Sequence, residues 1–160
     1  MLAARCAESL PCCMEALTVK CKHFIVEQLV PPEIHSSRGE SAWELLDSNL
    51  LVTLDQLFEF FGPITVNNWH TGGSYKESGL RLWATKTGAA FSQHKYGRAA
   101  DCKPIKVTPQ FMYAEILKNP SRFPLLTTME DIASTSALGG GWVHLDVRNN
   151  SVPGIRIVKP

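Results

Sequence analysis

Apolar residues in the first half of the chain recur at steps of three and four, the spacing of one helix face. The positions are Leu50, Leu54, Leu57, Phe58 and Phe61. Either Asp47 or Ser48 can cap the start of this helix, and Gly62-Pro63 ends it. The pattern predicts a helix whose apolar face belongs to the core.

Proline marks further boundaries. Residues 108–117 are predicted to form a helix, because Pro109 suits the first helical position and Asn119-Pro120 follows the end. Upstream, the prolines and small polar residues between 30 and 39 predict a loop, and a helix is expected after Glu40.

A different periodicity governs the last quarter of the chain. From residue 142 to 148, polar or aromatic residues alternate with Val143, Leu145 and Val147, which is the period of a β-strand. If the apolar set faces the core, His144 and Asp146 project together from the other face. The strand therefore offers two chemically active side chains to one site.

Shorter segments complete the fold class. Residues 64–69 and 155–158 are β-rich, and the glycine-containing stretch 70–93 is predicted to be an active-site loop. Helices and strands do not alternate as regular βαβ units. The expected class is α+β, with helices against a small antiparallel sheet.

Length and composition narrow the possibilities. A chain of 160 residues accommodates one domain. Lys and Arg total 16 against 15 Asp and Glu, which gives no basic field for nucleic acid. No apolar run is long enough to span a membrane, and the first residues do not form a signal peptide. We expect residues 1–18 to be an extension, residues 19–160 to be the domain, and the protein to be a monomer.

The cysteines do not predict a disulfide framework. Their number is odd, and four of the five lie within the first 21 residues without a repeated C-x-x-C pair. Reduced thiols in a protein made in the cytoplasm are the favoured interpretation, and a second metal site at these cysteines is disfavoured.

The candidate chemistry lies in Ser92–Asp101 and Trp142–Asp146. Two imidazoles and one carboxylate, from His94, Asp101 and His144, suit Zn²⁺, and three protein ligands leave a fourth position open for catalysis. Structural histidines and a turn carboxylate are the alternative interpretation of the same residues.

The order S-x-H-x-x-G-x-A-x-D followed by W-x-H resembles the zinc D-alanyl-D-alanine carboxypeptidase family. This family includes VanX-type dipeptidases, phage endolysin L-alanyl-D-glutamate peptidases and the hedgehog fold. The matched positions are Ser92, His94, Gly97, Ala99 and Asp101, then Trp142 and His144. Upstream segments look like the phage branch, so the resemblance covers about residues 20–160.

The resemblance implies roles for individual residues. His94, Asp101 and His144 would bind Zn²⁺, in a hedgehog-like or DD-peptidase-like zinc fold. Ser78-Gly79-Leu80-Arg81 looks like the family's S-G-Y-R motif, whose arginine holds the substrate. The tyrosine is replaced by Leu80, but Arg81 keeps its place.

The general base is the open question. Several family members carry an acidic residue three positions before the last histidine, where this chain has Gly141. Asp146, on the strand face of His144, is the favoured base, and Glu130 is the second candidate. Asp146 could instead orient an imidazole N–H without taking part in proton transfer.

The function implied by the resemblance is zinc-dependent hydrolysis of an amide bond in peptidoglycan stem peptides. Whether a terminal D-alanine or an internal bond is cut stays open. A non-catalytic zinc-containing domain that binds the cell wall or belongs to a virion is the alternative, and a metal-free domain is a further one. We expect a phage or prophage product that acts at the cell wall after lysis or from the virion.

Overall fold

The computed structural model describes residues 19–137, 139 and 141–160. This part of the chain forms helices and a single sheet. The α-helices of this part are α1 (Pro32–Arg38), α2 (Ser48–Phe61), α3 (Pro109–Lys118) and α4 (Ile132–Ala137). Its strands are β1 (Ile64–Thr65), β2 (Ala99–Pro104), β3 (Thr128–Glu130), β4 (Val143–Asp146) and β5 (Arg156–Val158). The predicted extension 1–18 lies outside the described residues.

The sheet has the order β1-β2-β4-β3-β5. Its first three pairings are antiparallel, as expected, but β3 and β5 run parallel. The expectation of a purely antiparallel sheet is therefore wrong at this edge. Parallel neighbours need a long crossover connection, and the chain supplies one because α4 and β4 lie between β3 and β5. The mixed α and β composition itself is confirmed.

Strand β4 occupies the middle of the sheet, between β2 and β3. Its neighbours on both sides leave all four of its residues buried. Val143, Leu145 and Val147 join the hydrophobic core, which confirms the period-two interpretation. His144 and Asp146 consequently lie on the opposite face of the strand, where other polar side chains pack against them.

Helix α2 has the boundaries that its apolar stripe predicts. Asp47 is the cap, since its carboxylate accepts a hydrogen bond from the Asn49 N–H at 2.9 Å. Gly62 ends the helix with φ +81°, a backbone conformation that glycine adopts without strain. The buried apolar face consists of Leu50, Leu51, Leu54, Leu57 and Phe61.

The predictions for the two proline-marked segments have different outcomes. Helix α3 is confirmed, with Thr108 accepting from the Phe111 N–H at 3.1 Å. The loop predicted between 30 and 39 is wrong, because α1 begins at Pro32 and a 3₁₀ helix over Gly39–Leu45 follows it. The ring of Pro32 at the first helical position removes an N–H that needs no partner there, so proline starts this helix.

The stretch 70–93 is largely irregular, as predicted. It contains the end of a 3₁₀ turn, Trp69–Thr71, and a second such turn begins at Gln93. The loop carries Arg81 to the polar face of β2, where the backbone N–H of Asp101 donates to the carbonyl of Ser78 at 2.7 Å. No helix in the described residues is long and apolar enough to cross a membrane.

Candidate metal centre

Three side chains converge where β2 and β4 pair. Asp101 and His144 lie directly opposite each other across the two strands. His94 comes from the 3₁₀ turn Gln93–Tyr96, which leads into β2. All three residues are buried, and together they form a group that could hold a metal ion. The structure thus brings together the three predicted ligands.

The donor atoms are spaced as a tetrahedral site requires. His94 Nε2 lies 3.1 Å from His144 Nδ1 and 3.3 Å from Asp101 Oδ1, while His144 Nδ1 and Asp101 Oδ1 are 2.9 Å apart. Ligands about 2.0–2.1 Å from a tetrahedral ion are separated by about 3.3 Å. The three distances between donor atoms approach this value, so the donor set fits an ion of that size.

Two glycines allow the backbone to place His94. Gly97 has φ +67°, and a Cβ there would lie 2.0 Å from the carbonyl oxygen of Leu45. A Cβ at Gly79 would lie 2.2 Å from the carbonyl oxygen of Leu29. Side chains at either position would push the turn away from the rest of the fold, because backbone atoms cannot move as a flexible side chain does.

Hydrogen bonds orient both imidazoles. His94 Nδ1 lies 2.7 Å from the carbonyl oxygen of Gly79, and a carbonyl can only accept, so Nδ1 carries the proton and Nε2 presents its lone pair to the cluster. The ring of His144 is turned the other way. Its Nδ1 faces the cluster, and its Nε2 lies 3.5 Å from Asp146 and 3.9 Å from Glu130. This arrangement is typical of metal-binding histidines.

Burial and the neighbouring charges shift the pKa values of the three residues in the cluster. Burial alone would raise the pKa of Asp101, but His94 and His144 hold it well below its usual range. Burial would lower the pKa of His144, whereas hydrogen bonds to Asp101 and Asp146 raise it to about 9. Burial keeps the pKa of His94 below its ordinary value. Without a cation, His144 therefore carries the proton that compensates the buried carboxylates.

Arg81 borders the group that could hold a metal ion. Its Nη2 donates to Asp101 Oδ2 at 2.9 Å, and its Nε donates to the carbonyl of Glu77 at 2.6 Å. The side chain is 11% exposed and lines the adjoining cavity. These two bonds fix the plane of the guanidinium beside the donor atoms.

The two candidates for the base lie in different surroundings. Asp146 is fully buried, and both of its carboxylate oxygens accept hydrogen bonds from the guanidinium of Arg148. Burial would raise its pKa, but His144 and Arg148 lower it. Asp146 lies next to Nε2 of His144, the ring nitrogen that points away from the three donor atoms.

Glu130 ends β3 and lines the cavity beside the donor atoms. Its side chain is 21% exposed, so a proton can be exchanged with solvent or substrate. Burial raises the pKa of Glu130, and the nearby His144 opposes that rise. A carboxylate with these properties is suited to proton transfer.

The cavity next to the donor atoms has a volume of ≈ 430 Å³. Its lining includes the side chains of His94, Asp101, His144, Arg81, Glu130, Trp142 and Arg148. A second cavity of ≈ 320 Å³, lined by Tyr75 and Lys103 among others, also borders Arg81 and Asp101. The donor residues thus lie on the walls of open space that could admit a small ligand.

Lys103 was missed by the sequence analysis. Its ammonium donates to Ser78 Oγ at 2.7 Å and to the carbonyls of Asp101 and Val66 at 3.0 and 3.2 Å. The ammonium thus links the loop that carries Arg81 to strand β2. Its position two residues after Asp101, on the same strand face, was the signal that could have identified it.

No family model matches this chain, and neither the search of curated proteins nor that of solved structures found a match.

Proposed function

We propose that the protein is a zinc-dependent peptidase that hydrolyses an amide bond in peptidoglycan stem peptides. The observation that carries this proposal is the convergence of one oxygen and two nitrogen donors, at nearly tetrahedral spacing, on the wall of a peptide-sized cavity. The sequence resemblance to the zinc D-alanyl-D-alanine carboxypeptidase family supplies the substrate class.

His94, Asp101 and His144 would hold the ion through Nε2, Oδ1 and Nδ1. Zn²⁺ supplies Lewis-acid polarisation of a carbonyl and increases the acidity of water. Calcium and magnesium fit the donor set less well, since both prefer oxygen ligands and here two of three donors are imidazole nitrogens.

Glu130 is the group that we propose moves the proton. Its partly exposed carboxylate lines the cavity, and its raised pKa suits a base that accepts a proton and later returns it to the leaving amine. Asp146 is the weaker candidate, because its oxygens are already occupied by Arg148. Its role here is to accept a hydrogen bond from Nε2–H of His144, which leaves the lone pair of Nδ1 available to bind the ion.

Arg81 is proposed to bind a carboxylate of the substrate. Its bonds to Asp101 and to the Glu77 carbonyl hold the planar fork at the cavity wall, so little side-chain entropy is lost when an anion binds. The interaction would place the peptide relative to Glu130 and the donor atoms.

A non-catalytic zinc-containing domain that binds the cell wall is the second candidate. Gly141 favours it, since several family members place an acidic base three residues before the last histidine. Such a domain would keep the donor geometry and the cavity but would not need Glu130 as a base.

Digestion of purified peptidoglycan by the zinc-loaded protein separates the two functions. A peptidase releases fragments whose masses identify the cleaved bond, and both the zinc content and the digestion are lost in the His144→Ala protein. A zinc-containing binding domain cosediments with peptidoglycan but releases nothing. Absence of zinc binding in the unaltered protein would contradict both functions.

A further inference from the structure

Arg148 lines the cavity beside His94, Asp101 and His144, but the proposed peptidase mechanism does not use this arginine. It follows β4 by two residues, lines the same cavity as the donor atoms, and has a side chain that is 34% exposed. Arg148 is therefore both paired with a buried carboxylate and open to the cavity.

One edge of the Arg148 guanidinium is fixed. Nε donates to both oxygens of Asp146 at 2.8 and 3.0 Å, and Nη2 donates to Oδ2. Within the described residues, Nη1 has no hydrogen-bond partner. Because guanidinium is planar and carries five N–H groups, the edge that includes Nη1 stays available for a second anion.

The charges at the cavity decide whether such an anion is favoured. The cations are Arg81, Arg148 and Lys159, whereas Asp101 and Glu130 are the acidic residues of the lining. Asp101 is moreover paired with Arg81. Arg148 is likewise paired with Asp146, so the three cations face three carboxylates. A divalent cation at the donor atoms would add the surplus of positive charge that favours an acidic ligand over a neutral one.

We propose that Arg148 is a specificity-determining residue that binds a carboxylate of an acidic peptide, distinct from the carboxylate bound by Arg81. The inference deepens the proposed function and rests on it for the class of ligand. Asp146 holds Arg148 in place before the ligand arrives, which reduces the entropy lost on binding.

The experiment compares three peptides: a stem pentapeptide with a free α-carboxylate on its D-glutamyl residue and a free C-terminus, and two analogues in which one or the other carboxylate is a carboxamide. Dissociation constants are measured by calorimetry on the zinc-loaded Glu130→Gln protein, so that turnover does not interfere. We expect each amide to bind about tenfold more weakly than the parent, as charge-assisted hydrogen bonds usually give.

Arg148→Lys in this background tests the assignment. Lysine keeps a positive charge for Asp146 but cannot present a second planar edge. In Arg148→Lys we expect the preference for the parent over one of the amides to disappear, while zinc content is unchanged. The preference over the other amide should be kept in Arg148→Lys and lost in Arg81→Lys. Arg38→Gln is the control, because Arg38 is an exposed residue of α1 that does not line the cavity.

The outcomes separate this inference from the proposed function. If Arg148→Lys retains both preferences, Arg148 acts through Asp146 alone and the inference is wrong even if peptidoglycan is digested. If peptidoglycan is not digested but the preference disappears in Arg148→Lys, the inference stands and the catalytic proposal fails. If none of the three peptides binds to the zinc-loaded protein, both are overturned.

Discussion

Two aspartate–arginine pairs flank His144, one on each side of its ring. Asp101 pairs with Arg81 near Nδ1, and Asp146 pairs with Arg148 near Nε2. Both carboxylates are buried on neighbouring strands, and both help to raise the pKa of His144. Residue type and burial therefore do not distinguish them.

What distinguishes the pairs is how the oxygens are used. Oδ2 of Asp101 accepts from Arg81, whereas Oδ1 faces the two histidines, so one oxygen is directed at the group that could hold a metal ion. Asp146 gives both oxygens to Arg148. A carboxylate whose two oxygens are already bound to a guanidinium is a poor base, and its remaining role is to orient a neighbour.

The largest expected effect is on the Asp101 side. Asp101→Asn should reduce bound zinc from about one ion per chain to near zero after dialysis, because a three-donor site loses its only anionic ligand. Zinc content by elemental analysis measures this. The control is Asp55→Asn, since Asp55 is a buried aspartate of α2 that binds the backbone N–H groups of Lys22 and His23. Full zinc content in Asp101→Asn would remove Asp101 from the ligand set.

The next effect concerns Glu130, the carboxylate that belongs to neither pair. Glu130→Gln should reduce turnover of peptidoglycan by about two to four orders of magnitude, which is the usual contribution of a general base, while zinc content stays the same. Glu59→Gln is the matched control, because Glu59 is an exposed residue of α2. Unchanged turnover in Glu130→Gln would contradict its role in proton transfer.

A smaller effect is expected on the Asp146 side. Asp146→Asn should weaken zinc affinity by about 10- to 100-fold, as loss of a residue that orients a metal ligand usually does, and activity should recover at saturating zinc. Competition with a chelator gives the affinity. If activity stays low at saturating zinc, Asp146 takes part in proton transfer, and the base expected from the sequence would replace Glu130.

Periodicity carried much of the fold prediction. The stripe on α2 and the alternation along β4 are properties of consecutive residues, so both elements were predictable. Strand β3 was not, since Thr128–Glu130 spans only three residues and no periodicity can be recognised over that length. The parallel β5 edge depends on how the chain returns across the sheet, which local sequence does not encode.

At the site, too, the features set by local sequence were predictable and those set by three-dimensional contacts were not. The three donors were predicted from residue types and motif spacing, and they do lie together. The preference for Asp146 as the base followed from strand alternation, which correctly placed it on the face of His144. Alternation also placed Arg148 on that face, but it could not reveal that the guanidinium occupies both oxygens of Asp146, because side-chain pairing depends on three-dimensional contacts.

The smallest effect is a pH dependence to which both pairs contribute. In zinc-free protein the pKa of His144 is raised to about 9, above the value of about 6.5 for an unfolded chain. The resulting stabilisation is fully present below pH about 6.5 and is lost as pH rises through about 9. The melting temperature of chelator-treated protein should therefore fall over this range, by about 2–4 °C for each kcal/mol of stabilisation that is lost.

Zinc should reverse this trend. Because Nδ1 must lose its proton to bind the ion, the rise in melting temperature on adding zinc should grow between pH 6.5 and 9. Asp146→Asn sharpens the comparison, since it removes one of the carboxylates that raise the pKa of His144 and should make the zinc-free melting temperature less dependent on pH. A zinc-free melting temperature that is independent of pH, together with a constant increment from zinc, would show that His144 is already neutral at pH 6.5 and that the two pairs do not hold its proton.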